Sequence, residues 1–379
     1  MSTGTPAPYA SGHPSEPLLD PEVGLPPHPA AAHSLPERVQ AVLLGSALGD
    51  AVAEAGADAL DGSGATDTSA GPPLALSGTT QLVLYTLDGL LEAVEWTNVG
   101  QPADETACLW LAYLRWLRTQ DHPWPDNAPS PLPRWIDAEA ALAVTRRPDA
   151  QTLAALSTGA MGEVERPVVP GAMGPGAMSR SVAFGLLPVG WKSLTTLTVN
   201  GAAITHGHPE AQVAAVAYAL SIQATVNAAQ RAITEPVRAG VQAALEVLPT
   251  VTRPGEHTIA ALRTALDTSD GAVSPEQLLE RLGTDQHEAP EALAAGVWAA
   301  LVAERNGGEA DRMDHALHSG AKVAVENPHA VGSVAGALTG AGLPDPGVST
   351  RWARALHGGS AVQAAGRRWC DELGWNVSS

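Results

Sequence analysis

The stretch that most constrains this chain runs from Leu76 to Glu92, where a small polar helix start leads directly into a broadly apolar helix. Val83, Leu87, Leu90 and Val94 are spaced i, i+4, i+7 and i+11, which places them on one helical face. Leu84 and Leu91 widen that stripe, so the helix is expected to be covered on more than one side. Ser77 suits the N-cap, because its hydroxyl can accept from first-turn N–H groups. The run Ser77-Gly78-Thr79-Thr80 therefore sits where a helix N-terminus points at something. A helix covered on several sides needs other helices around it. The rest of the chain supplies Ala/Leu-rich helical patterns, with no sustained β-alternation and no repeat of fixed period. The expected fold class is all-α, in one compact domain.

Composition refines this. Aromatic residues make up 4% of the 379 residues while Ala and Gly abound, so close packing of small residues is expected rather than a large aromatic core. The formal net charge of −19 argues against non-specific binding to nucleic acid or to an anionic membrane, both of which need a basic face. The charge reads as a solubility feature. Cys108 and Cys370 are too few and too far apart for a disulfide framework or a metal motif, and each is expected to be a buried thiol. No apolar run is long enough to span a bilayer, and no basic segment followed by an apolar core opens the chain. The expectation is a soluble cytoplasmic protein. Residues 1–34 are rich in Pro, Ala, Ser and Gly and read as a disordered tail, leaving 35–375 as the folded domain.

Along that domain, Val39, Val42, Leu43 and Ala47 set a helix that runs into Gly45-Ser46-Ala47-Leu48-Gly49-Asp50-Ala51, where the glycines permit close backbone approach. Thr66-Asp67-Thr68 looks like a metal-loop fragment but reads as a solvated turn. Further helices are expected over about Asp104 to Arg118, Ala138 to Arg146, Asp149 to Ser157, Ser193 to Ile204 and Pro209 to Asn227, with Pro209 at the first helical position. Gly174 and Gly176 precede a helix start, a setting in which backbone N–H groups can reach a phosphate, and Arg180 could pair with it. An ordinary loop with a structural Arg is the plainer account. His206-Gly207-His208 is a turn that caps the next helix and bonds neighbouring loops.

Five of these segments, in order, resemble the ADP-ribosylglycohydrolase family, which includes the dinitrogen-reductase-activating glycohydrolase and the ADP-ribosylarginine hydrolases. The first is Gly45, Gly49, Asp50 and Ala51, similar to an opening Gly-x-x-x-Gly-Asp-Ala helix. The second is Ser77 to Gln81, similar to Thr/Ser-Asp-Asp-Thr-Gln before an apolar helix. The third, Gly171 to Pro188, is similar to a Gly-Asn-Gly-x-x-Met-Arg loop, with Gly174, Gly176, Arg180, Gly185 and Leu186 matching and Pro175, Ser179 and Ala183 departing. The fourth, Thr205-His206-Gly207-His208-Pro209-Glu210-Ala211, is similar to Thr-His-x-His/Asn-Pro-x-Ala. The fifth, Glu326 to Ala341, is similar to Gly-Asp-x-Asp-Thr followed by a small-residue helix.

The resemblance implies the family's all-α domain, a pocket for ADP-ribose or an ADP-ribosylated protein, and two Mg²⁺ or Mn²⁺ ions that activate the attacking water. In this chain the inferred ligand Asp positions hold Gly78, Thr79, Asn327 and His329, and Ala330 stands for the Thr. Ser77 remains, and Asp50 is the retained acid expected nearby, a weak candidate for a catalytic role. Two dications about 4 Å apart repel by roughly 17 kcal/mol at an effective dielectric near 20. Carboxylates must offset most of that, so a binuclear centre is not expected and no cofactor is predicted. Two helix starts without acids, at Ser77–Thr80 and at Asn327-Pro328, would instead favour an anion or a polar sugar group. The candidate ligand-binding residues are Ser77, Gly78, Thr79, Thr80, Gly174, Gly176, Arg180, His206, His208, Asn327 and His329. The function expected is a metal-deficient pseudoenzyme that binds ADP-ribose or a related ligand. The alternatives are a hydrolase with a non-standard site and a non-catalytic structural or partner-binding protein.

Overall fold

A computed structural model describes residues 17–28, 31–56, 74–146, 149–251, 255–271, 273–283, 288–308, 311–343 and 356–376. The helices among them enclose one hydrophobic core. The first, α1 (Leu35–Ala55), starts with a capping box, in which Ser34 accepts from Glu37 N and the Glu37 carboxylate reaches back to Ser34 N at 2.7 Å. The helix α2 (Gly78–Asn98) begins where the polar run predicts, with Ser77 as N-cap accepting from Thr79 N at 2.9 Å. Its residues from Thr80 to Leu91 are all buried, which is why both sides of its stripe are apolar.

Next come α3 (Glu105–Leu117), capped by Asp104, and the short helices α4 (Ala150–Leu156) and α5 (Gly176–Arg180). They are followed by α6 (Trp191–Ala203) and the central, almost wholly buried α7 (Pro209–Gln230). The remaining helices are α8 (Pro236–Val247), α9 (Glu256–Ser269), α10 (Pro275–Leu282), α11 (Ala289–Asn306), α12 (Arg312–Val323), α13 (Pro328–Gly342) and α14 (Gly359–Glu372). Pro209 and Pro328 each sit in the first turn of their helix, where a missing N–H costs nothing. Among the described residues no helix is long and apolar enough to cross a membrane.

The closest contact in the fold is a glycine seam. On α1, Gly45 and Gly49 face Gly336 and Gly332 of α13, backbone against backbone, and Gly340 faces Ala41 in the same way. A Cβ at Gly49 would overlap the Gly332 carbonyl, and one at Gly332 would overlap the Gly49 carbonyl. The small residues read in both segments thus form one interface, which holds Asp50 and His329 at the same end of the helix pair.

Nearly three turns below the start of α2, the buried Asp88 accepts from Arg115 Nη2 at 2.7 Å and Arg134 Nε at 3.0 Å. Burial pushes the Asp88 carboxyl above the usual range against the pull of Arg134 and Arg115. Arg134 also forks onto Glu95, so this network ties α2 to α3 and to the Pro-rich segment.

Three expectations change. Residues 17–28, inside the expected tail, are packed on the domain. Leu19 and Leu25 are buried, Trp191 N donates to the Asp20 carbonyl, and Asn227 Nδ2 donates to the carbonyls of Leu18 and Gly24. Two leucines and a set of backbone bonds suffice to anchor a segment whose composition looks structureless, while residues 1–16 lie outside the described residues. The helix expected from Ala138 to Arg146 is a single 3₁₀ turn at Trp135–Ala138 followed by turns. The Asp137 carboxylate accepts from Arg134 N at 2.7 Å and starts that turn early. A short parallel ladder, β1 (Leu74–Ala75) with β2 (Leu356–His357), is too brief to show as alternation. The Thr66-Asp67-Thr68 stretch lies outside the described residues. Both cysteines are buried, and burial pushes the Cys108 thiol up to about 11 and the Cys370 thiol up to about 12.

Candidate functional site

The glycine seam sets Asp50 beside the start of α13, and Asp50 also meets the N-terminus of α2. Asp50 is fully buried, and its Oδ2 accepts from Ser77 Oγ at 2.5 Å, from Thr80 N at 3.2 Å and from Thr80 Oγ1. Its Oδ1 lies 2.6 Å from His329 Nδ1, at the start of α13. A carboxylate oxygen has about two acceptor sites, so Oδ2 is saturated by its three donors while Oδ1 takes one. On the far side of the ring, His329 Nε2 is 3.1 Å from Glu54 Oε2. The imidazole therefore stands between two carboxylates, one buried and one 36% exposed, and is itself 20% exposed.

This arrangement corrects one expectation. The two helix starts do converge, but they are not stripped of acids. Asp50 supplies the negative charge that the N-terminus of α2 favours, so an external anion there would meet a carboxylate already in place. Asn327 holds the N-cap position of α13 without a capping bond from its side chain. Gly78 and Ala330 are buried backbone-only positions, and Thr79 serves the Ser77 cap through its N–H. Glu54 was not among the predicted site residues. Its signal is the i, i+4 spacing from Asp50, which puts both acids on one face of α1.

The second expected binding element, Gly174 to Arg180, is used internally. Gly174 N donates to Gln151 Oε1 at 2.8 Å, and the Asp149 carboxylate lies where a Cβ on Gly176 would fall. Arg180 is buried, stacks on the Tyr113 ring at 4.5 Å, and donates to Tyr113 Oη, Thr205 Oγ1 and the Gly201 carbonyl. These bonds tie α3, α5 and the end of α6 together, while Arg180 Nη1 is buried without a hydrogen-bond partner. His208 caps α7, its Nδ1 accepting from Glu210 N at 3.2 Å. His206 is fully buried, with Nδ1 2.8 Å from Thr205 Oγ1 and Nε2 3.6 Å from Asp149 Oδ2. Burial lowers its pKa to about 4, so the ring is neutral at physiological pH. His208 thus carries the capping role that the turn suggested, whereas the buried His206 Nε2 has no hydrogen-bond partner. A cavity of about 880 Å³ lies elsewhere, between the Met161–Glu165 loop, α6 and the start of α7, lined by Trp191, Lys192, Asn200 and Gln212 among others.

The donor set does not fit a pair of divalent cations. Asp50 is a single carboxylate whose Oδ2 is already saturated, His329 faces carboxylates with both ring nitrogens, and Gly78, Thr79 and Ala330 bring no carboxylate. The ring nitrogens of His329 occupy the carboxylate edges at which a cation would have to bind.

With this geometry in hand, the comparisons are direct. The ADP-ribosylglycohydrolase family matches residues 31–376. Among solved structures, an ADP-ribosylglycohydrolase-related protein complex is similar at a TM-score of 0.51 and 19% identity, covering 89% of this chain and 99% of that one. At that identity the likeness speaks for the fold. No curated protein matches.

Proposed function

The chain belongs to the ADP-ribosylglycohydrolase family, and from that premise we propose that it is a metal-deficient, non-hydrolytic member that binds ADP-ribose or a related nucleotide. The observation that carries this reading is the Asp50–His329–Glu54 cluster. A fully buried carboxylate costs several kcal/mol in desolvation, and a fold that needed only helix packing at this point would do better with an apolar residue. Retention of a satisfied, partly accessible charge cluster at the start of two helices supports a binding role. It does not supply hydrolysis by the family route, because Asp50, residues 77–80 and residues 327–330 do not make a ligand set for the water-activating ions. The exposed edge of Glu54 offers acceptor oxygens to the vicinal hydroxyls of a ribose, and this favours the sugar over the phosphates as the group read here.

The test is calorimetric titration of ADP-ribose into the protein, first in EDTA and then in excess Mg²⁺ or Mn²⁺. The expected outcome is a Kd below about 100 µM that is the same in both conditions. Binding that requires metal, or release of ADP-ribose from an ADP-ribosylated arginine substrate, would move a hydrolase with a non-standard site to the front. A second reading, a non-catalytic structural or partner-binding protein, draws on the internal use of Gly174, Gly176 and Arg180. Absence of heat in either condition would favour it.

A further inference from the structure

A second cluster of ligating side chains lies away from Asp50, where the N-termini of α9 and α11 meet. His257 Nε2 is 2.5 Å from Glu291 Oε1, and one ligand atom from each of His257, Glu288 and Glu291 falls within 4.8 Å of the others. We propose that these three residues form a site for a single divalent transition cation of the zinc class, distinct from the family's ligand positions.

Helix N-termini ordinarily repel cations, so the local charges decide the matter. Each terminus carries about half a positive charge. At α9 this is already answered by Glu210, whose Oε1 accepts from His257 N and whose Oε2 accepts from Thr258 N and Thr258 Oγ1. Neither His257 nor Glu291 is therefore required as the cap of α9. At α11, Glu288 holds the N-cap position without a capping bond from its side chain, which leaves its carboxylate to the cluster. Two further carboxylates against one remaining half charge leave a net negative site.

The donors are one imidazole nitrogen and two carboxylate oxygens, a set that suits zinc and its transition-metal neighbours better than magnesium, which prefers oxygen alone. Glu291 is 5% exposed and fixes the inner face, while His257 is 45% exposed and leaves the outer face to water. The consequence would be mechanical. Ala289 N, between two of the ligands, donates to the Met173 carbonyl at 2.9 Å, so a cation here would brace the loop that leads into Gly174 and Gly176.

The experiment uses the full chain, stripped with EDTA and dialysed, and titrated with Zn²⁺ in competition with a chromogenic chelator. One equivalent is expected to bind with a Kd at or below about 10 µM. His257→Ala and Glu291→Gln are each expected to weaken this at least about tenfold, and His315→Ala, at an exposed histidine outside the cluster, to leave it unchanged. His257 is half exposed, so its variant tests the site without disturbing the core. A rise in Tm with Zn²⁺ that disappears in His257→Ala is the second expected readout. No saturable binding below about 100 µM, or binding that survives both substitutions, would overturn the assignment.

Discussion

Replacing Asp50 tests the central feature of the candidate site. Its carboxylate takes four hydrogen bonds from Ser77, Thr80 and His329 in the fold interior. In Asp50→Ala the two hydroxyls can rotate towards other partners, and His329 can turn to water because it is partly exposed. The Thr80 N–H can do neither and is left unpaired inside the protein, which alone costs about 1–3 kcal/mol. Loss of the His329 hydrogen bond and of the α2 N-terminal charge brings the expected destabilisation to about 3–5 kcal/mol. At about 2.1 cal/mol/K per residue, a domain of roughly 350 residues loses about 1.4 °C of Tm per kcal/mol, so the shift should be about 4–7 °C. Asp50→Asn keeps an oxygen for the α2 side and turns its amide to His329, and should lose only about 1–2 kcal/mol. The assay is calorimetric or circular-dichroism melting of the two variants side by side. A Tm that is unchanged or higher in Asp50→Ala would refute the reasoning. It would mean that the carboxylate is held at a cost to stability and that its four bonds do not compensate for burial.

Three other outcomes are expected. Gly49→Ala places a methyl group against the Gly332 carbonyl in a seam where neither backbone can yield, and should cost about 3 kcal/mol or more in urea unfolding; a midpoint within error of the parent would show that the helices can part freely. His206 contributes to acid sensitivity. Its folded pKa, near 4, lies below the unfolded value, so the unfolded chain binds the extra proton and stability falls as pH drops from about 6.5 to about 4, by roughly 3 kcal/mol in all, with no contribution above that window. His206→Gln should flatten that limb of the pH–stability curve, and an unaltered slope would count against the buried neutral ring. Arg180→Lys removes a planar fork that serves Tyr113, Thr205 and Gly201, and should lower stability by about 2 kcal/mol while changing ADP-ribose affinity less than twofold. A large loss of affinity with intact stability would return Arg180 to the pocket.

Most of the helices and their starts were legible in the sequence because their causes are local, the one expected over Ala138 to Arg146 excepted. Ser77, Asp104 and Asp149 cap the helices that follow them, prolines open α7 and α13, and the stripe from Val83 to Val94 states the burial of α2. Gly45 and Gly49 announced a close approach, though not the helix they approach. The order of five short motifs was enough to identify the family, and Gly78, Thr79, Asn327 and His329 stand where the resemblance implies ligand carboxylates. The tertiary structure alone decided what stands in their place. Asp50 reaches Ser77 across 27 residues and His329 reaches Asp50 across 279, distances over which no local periodicity acts. Packing of glycine on glycine along α1 and α13 sets the second of those contacts. Asp50, reaching both helix starts, turned a pair that looked free to hold an anion into a site that carries its own. Arg180, which its motif offered as a phosphate partner, lies in the core against Tyr113. Local sequence determines where a helix begins; which charge meets that beginning depends on how the helices cross.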